Sequence, residues 1–334
     1  MPPEETLESP QNFNFNPKTS IAILIALLIF IGGGYYLYMK STTVPDNGSK
    51  ATIGDEGIYL TLRTNKPDFV PGLFILNPQD RTLNLVKDDG FINLTGSISE
   101  DSTTFVYARQ VNDVESQIVA QNIARGEEKQ ITKSNGVFLK REPRVSPQND
   151  GIVFTGRVGS IEVSPDPDEW NVYITDMDGN EQLVTKGTHP KWLSDGKSIA
   201  VLRSDGIYTY NIESGDEEHA VITKEKLTLG DTFDISRDSK YLAFSERALD
   251  RVYVLKVDTW ESFEATTFQK IDLYAYGLVF SPNSTGLLVH EVDHIDNTFS
   301  NPKLVIYELE TQKKLLVSSL DEYDLNYTSL TDWK

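Results

Sequence analysis

The sequence predicts an all-β fold: a six-bladed β-propeller closed by strands from both termini and preceded by one transmembrane α-helix. Three observations predict it. An uncharged apolar stretch runs from Ser20 to Met39, a four-strand unit recurs at intervals of 42 to 48 residues, and incomplete units at the two ends of the repeat complement one another. The expected organisation is a polar tail at 1–19, a membrane helix at 20–39, a linker at 40–56 and the propeller at 57–334.

The segment SIAILIALLIFIGGGYYLYM contains 20 residues. At about 1.5 Å per residue it matches the hydrocarbon thickness of a bilayer. Lys18 and Lys40 bracket it, and Tyr35, Tyr36 and Tyr38 gather at one end, where amphipathic rings favour the headgroup region. The run is long for the apolar core of a signal peptide, and no small-x-small cleavage motif follows before Lys40. Retention as an anchor in membrane lipid is therefore expected. A short tail ahead of a single anchor favours a carboxy-terminal domain on the external side of the cytoplasmic membrane. Residues 41–56, STTVPDNGSKATIGDE, are small, polar and aperiodic, as suits a flexible tether.

The chain of 334 residues carries 50 acidic against 31 basic side chains, a formal charge of −19 that opposes nucleic acid and anionic lipid surfaces. It has no cysteine, which excludes disulfides, thiol nucleophiles and cysteine-ligated metal. Beyond residue 57, aromatic and β-branched residues alternate with frequent Gly and Pro, favouring many short strands joined by turns.

The repeat starts from an apolar residue, a serine and a turn: Ile98-Ser99-Glu100-Asp101, Val145-Ser146-Pro147-Gln148, Leu193-Ser194-Asp195-Gly196, Ile235-Ser236-Arg237-Asp238 and Phe280-Ser281-Pro282-Asn283. By subtraction, the serines lie 47, 48, 42 and 45 residues apart. A second strand follows each turn, as in SIAVL at 198–202, YLAFS at 241–245 and GLLVH at 286–290. Third strands such as NVYITDMDGN and RVYVLKVDTW end in turn chemistry, and short closing strands such as EQLVT complete each unit. Five units run from about 98 to 320. Residues 57–88 supply three strands without an innermost one, and YTSLTDWK at 327–334 supplies that strand, making the sixth blade. Closure of this kind removes exposed sheet edges.

These units resemble the TolB-like, WD40-like repeats, whose usual form is an aromatic residue, Ser-Pro-Asp-Gly, two strands and a Leu-Thr ending. Residues 189–223, HPKWLSDGKSIAVLRSDGIYTYNIESGDEEHAVIT, are the nearest copy, whereas Ser99-Glu100 and Ser236-Arg237 lack the proline. The resemblance covers roughly 57–334 and implies the architecture, not a ligand.

No motif establishes an enzyme. His290-Glu291-Val292-Asp293-His294 satisfies H-E-x-x-H, but the repeat places it on a strand. Residues four apart on a strand are about 13 Å apart, too far for two imidazoles to share a zinc ion. No G-x-S-x-G elbow or P-loop is present. Asp176, Asp178 and Gly179 read as a tight hairpin turn without the full calcium-loop spacing. His189 and His219 read as surface residues, and Trp192, Trp260 and Trp333 as strand or core residues. No cofactor, metal ligand set or catalytic residue is assigned.

In a propeller the connections between second and third strands share a face with those between blades. Four of them look long: Thr64 to Gly72, Arg109 to Ser116, Gly156 to Trp170 and Glu291 to Pro302. The candidate partner-binding residues on this face are Arg157, Glu162, Asp166, Asp168, Trp170, Asp293, His294 and Asp296, a mixture of charge and aromatic surface suited to protein contact. The expected function is a membrane-anchored binding or scaffolding module for other proteins of the cell envelope. The alternative is a membrane-tethered propeller hydrolase or lyase with a metal or polar site at the channel mouth.

Overall fold

A computed structural model describes residues 57–62, 72–78, 82–87, 92–112, 115–158, 166–215, 217–223, 229–246, 251–260, 264–295, 298–319 and 329–333. The expected tail, membrane helix and linker lie outside the described residues. Among those described, no helix is long and apolar enough to cross a membrane.

Six four-stranded antiparallel sheets are present. Blade 1 combines Ser329–Trp333 from the end of the chain with Ile58–Leu62, Gly72–Leu76 and Leu83–Lys87 from its beginning. Blade 2 is Ile92–Ile98, Thr104–Asn112, Glu115–Asn122 and Glu128–Gln130, and blade 3 is Arg141–Val145, Ile152–Gly156, Asn171–Thr175 and Glu181–Lys186. Blade 4 is Thr188–Trp192, Ser198–Arg203, Gly206–Asn211 and Glu217–Thr223. Blade 5 is Leu229–Ile235, Tyr241–Glu246, Arg251–Thr259 and Glu264–Asp272, and blade 6 is Tyr274–Phe280, Gly286–Ile295, Thr298–Glu308 and Lys314–Ser319. Blade 1 is thus the blade assembled from the two incomplete fragments at the ends of the repeat. Ile58 pairs with Trp333 and Thr61 with Ser329.

The core is divided into six layers, one between each pair of neighbouring blades. Second strands are apolar on both faces for this reason. In Ser198–Arg203, Ile199 and Val201 pack towards blade 3, while Ala200 and Leu202 pack towards blade 5. Fully burying an aliphatic side chain of this size contributes about 1.5–3 kcal/mol. Trp192, Trp260 and Trp333 pack against these layers as expected.

The turn after each inner strand is built alike in blades 2 to 6. Ser99, Ser146, Leu193, Ser236 and Ser281 each accept from the N–H three residues on, and their own N–H groups bond the carbonyl five residues on. The third residue after each is left-handed: Ser102, Asn149, Gly196, Ser239 and Ser284, with φ between 57° and 64°. Blade 4 therefore departs from the sequence alignment. Leu193, not Ser194, occupies the repeat position, and successive positions lie 47, 47, 43 and 45 residues apart by subtraction. The serines at the other four turns accept from a backbone N–H, as in Thr104 N–H to Ser99 Oγ at 2.9 Å. Asp195 substitutes in blade 4, accepting from the N–H groups of Lys197 and Ser198.

Two expected long loops are strand. Blade 2 extends its second and third strands to Asn112 and from Glu115, and blade 6 extends its own to Ile295 and from Thr298. Backbone pairing continues to Asn112↔Glu115 and Ile295↔Thr298, which satisfies N–H and C=O groups that a loop would leave to water. The H-E-x-x-H segment lies within this blade 6 strand, as its geometry required.

Candidate functional site

Inner strands run down the central channel and end at the serine turns, so these turns surround one mouth of the channel. A cavity of about 140 Å³ opens there, lined by the last residues of all six inner strands. The next-to-last positions are Asp332, Ser97, Arg144, Lys191, Asp234 and Val279 in blade order. Where this residue can accept, it takes an N–H of the following blade. Ile98 N–H donates to Asp332 Oδ2 at 2.8 Å, Val145 N–H to Ser97 Oγ at 3.0 Å, and Phe280 N–H to Asp234 Oδ2 at 2.8 Å.

Arg144 and Lys191 cannot accept, and their junctions are made otherwise. Trp192 Nε1 donates to the Arg144 carbonyl at 3.0 Å, and Lys191 Nζ lies 2.6 Å from Asp234 Oδ1. The Arg144 guanidinium donates to the Gly96 carbonyl. Burial and the neighbouring Arg144 push the Lys191 ammonium below its ordinary value, against the pull of Asp234. Across the mouth, Arg237 Nε lies 3.2 Å from Glu100 Oε1. These residues belong to the turns of blades 5 and 2, which face each other across the ring.

At the opposite end, blades 3 and 4 meet in a second polar corner. Glu142 and His189, 47 residues apart, occupy equivalent places on successive inner strands, and both have left-handed backbones, with φ 57° and 53°. Thr155 Oγ1 and the His189 N–H donate to Glu142 Oε2 at 2.8 and 2.9 Å, and His189 Nε2 lies 3.4 Å from Oε1. Burial opposes the Glu142 charge, but His189 and Arg141 hold the carboxyl down at about 2. Burial lowers His189 as well, despite Glu142. His189 is thus a channel residue and not the surface residue expected from the sequence. The signal that could have found it is its position four residues before the turn.

The expected partner-binding residues separate into two places. Arg157, Asp166, Asp168 and Trp170 meet at this corner, and they hold it together. Trp170 is only 1% exposed. The guanidinium carbons of Arg141 and Arg157 lie 3.7 and 5.8 Å from its ring centre. Arg157 also pairs with Glu169. Asp166 caps the 3-10 turn Pro167–Glu169, and Asp168 accepts from the Ser204 N–H and hydroxyl, tying this turn to blade 4. Trp170 is therefore a packing residue, because two arginines and its own blade cover it. Asp293 lies on the blade 6 hairpin, where it accepts from Asn301 Nδ2 at 2.6 Å. Glu162, Asp296 and the His294 side chain lie outside the described residues.

The hairpin reading of TDMDGN holds: Asp176 accepts from the N–H groups of Asp178 and Asn180 at 2.9 and 3.0 Å. Among the described residues, no three His, Asp or Glu side chains are grouped so as to hold a metal ion. His290, buried in the blade 6 strand, is pushed down to about 4 by burial alone.

No protein-family model and no curated protein sequence matches the chain. Solved structures do match. TolB from Acinetobacter baumannii aligns at a TM-score of 0.59 and 16% identity over 82% of this chain and 67% of that one. The fold is that of a TolB-like propeller. A putative TolB from Agrobacterium tumefaciens aligns at a TM-score of 0.58 and 13% identity over 80% of this chain and 91% of that one. An oligogalacturonate lyase in complex with manganese aligns at 0.57 and 12%, over 81% and 78% of the two chains. Identities this low carry the TolB-like architecture and nothing about the site.

Proposed function

We propose that this chain is a non-enzymatic binding module that holds a protein partner on the hairpin face of its propeller. In this reading residues 20–39 tether it to the external side of the cytoplasmic membrane. The observation that carries the reading is the asymmetry of that face. The blade 2 and blade 6 hairpins, with second strands of nine and ten residues against five or six elsewhere, stand on either side of blade 1. Val111, on the extended part of the blade 2 hairpin, is 52% exposed. Two lengthened hairpins with an exposed apolar side chain form the kind of seat in which a partner buries a few central residues. At the other mouth, the charged side chains bond one another and neighbouring blades.

The test is protease accessibility of the propeller in intact cells, followed by crosslinked capture of the full-length chain. Digestion from outside, with a protein captured by wild type and lost in Val111→Asp, is the expected outcome. Protection of the propeller inside the cell reverses the topology. Capture that is indifferent to Val111→Asp and to shortening of both hairpins overturns the binding face.

A further inference from the structure

Two arginines converge on one buried indole at the corner of blades 3 and 4, and both have nitrogen atoms to spare. Arg141 Nε and Arg157 Nη1 are buried and have no hydrogen-bond partner. Orphaned donors on a cation are costly in a folded protein, at about 1–3 kcal/mol or more each, and call for an explanation. Arg157 has one carboxylate, Glu169, whose side chain is half exposed. Arg141 makes no ion pair in the described structure. The carboxylate nearest to it in sequence, Glu142, is already turned to Thr155 and His189. His189, with 35% of its side chain open, has its Nδ1 3.0 Å from Thr188 Oγ1, so its ring is held on both sides.

We propose that Arg141 and Arg157, laid over Trp170, form a receptor for a carboxylate group. A guanidinium presents parallel N–H donors that match the two oxygens of a carboxylate, and such charge-assisted pairs are among the strongest hydrogen bonds in proteins. The indole beneath fixes the fork of Arg141, with its carbon 3.7 Å from the ring centre, so little side-chain freedom is lost on binding. Local charge favours a monoanion over a phosphate dianion. Among the described residues Arg141 makes no ion pair, and Glu142, whose charge it helps to hold, and Glu169 already place two negative charges nearby. The proposal does not depend on the partner-binding reading above, because the carboxylate can belong to a small acid or to the end of a peptide chain.

The test is titration of the full-length chain in detergent micelles with N-acetylglycine, N-acetylglycinamide and the free-acid and amidated forms of N-acetyl-triglycine. Binding is followed through the indole N–H resonance assigned to Trp170 by its loss in Trp170→Phe. The expected result is a saturable shift with the acids and none with the amides. Arg141→Met should weaken binding about tenfold or more, the range for a charged hydrogen-bonded pair. Arg141→Lys keeps charge without the fork and should fall between, which keeps the test informative where Arg141→Met fails to fold. Arg203→Met, whose guanidinium already bonds Thr185 and the Lys186 carbonyl, should change affinity less than about twofold. Tighter binding of the tripeptide acid than of N-acetylglycine assigns the site to a chain end, and equal binding assigns it to a small acid. Equal shifts from acid and amide, or an affinity unmoved in both Arg141 variants, overturn the proposal.

Discussion

The two ends of the channel use charge differently. At the serine-turn mouth, acceptors on one inner strand take N–H groups of the next, the two cations that interrupt this series are tied to Asp234 and to the Gly96 carbonyl, and Arg237 of the blade 5 turn reaches across the ring to Glu100. At the corner of blades 3 and 4, Glu142 and His189 satisfy each other, while Arg141 and Arg157 lie over Trp170 with donors left over. The same repeat position can therefore lock the ring when it carries an acceptor and must find another partner when it carries a donor. Polar groups that close the ring are structural, and those that the ring does not use are the ones available to a ligand.

The comparison predicts its largest effect at Asp234. Asp234→Ala removes the acceptor for the Phe280 N–H and the carboxylate that pairs with the buried Lys191 ammonium, and it should cost about 3–5 kcal/mol in chemical denaturation. Asp234→Leu combined with Lys191→Met should recover a large part of that loss. If the single variant costs under about 1 kcal/mol, the mouth is not a lock.

The Glu142 carboxyl sharpens the other side of the comparison. Its folded value of about 2 lies below the ordinary 4.5, so its charge stabilises the fold above pH 4.5, and that stability is lost as pH falls towards 2. At about 1.4 kcal/mol per unit the loss is on the order of 3 kcal/mol. The lowered His189 acts in the same direction from about pH 6.5 downwards, because the unfolded state binds the proton more readily. Unfolding curves between pH 7 and pH 3 should therefore converge for wild type and Glu142→Gln at the acid end. Parallel curves would remove the pair from the acid response.

Ser97→Ala deletes one acceptor, that of the Val145 N–H, and should cost about 1–3 kcal/mol with no change in ligand titrations at the opposite end. The smallest effect belongs to the bridge across the mouth. Arg237 and Glu100 are 35% and 42% exposed, so Arg237→Ala should change stability by about 0–1 kcal/mol, visible only in low salt.

Much of this architecture is legible because blades bury both faces of their central strands, leaving runs such as SIAVL and GLLVH between turns at a steady interval. The composite first blade is readable for the same reason, since neither GIYLTLR nor YTSLTDWK forms a blade without the other. Blade 4 misleads by one residue, because Ser194 mimics the repeat serine while backbone bonding selects Leu193. The corner of blades 3 and 4 is less legible still. Trp170 reads as an exposed contact until Arg141 and Arg157 are seen to cover it, and both come from other strands or their ends. Lys140, wholly buried with Nζ 3.0 Å from Glu181 and 2.6 Å from the Lys133 carbonyl, carries no sign of that burial in the segment KREPR. Long-range pairing of this kind leaves no local pattern.

The composite blade also fixes how the molecule bears load. The chain enters the propeller at Gly57 on the serine-turn side, and Ile58–Leu62 carries it towards the hairpin side. If the domain is held by its amino-terminal end and pulled by a partner on the hairpins, as proposed above, the force would act along this strand. Its hydrogen bonds to Gly72–Leu76 and Ser329–Trp333 lie across the pull. They are strained together in shear and not opened one at a time, so the last strand of the chain acts as a mechanical clamp on the first.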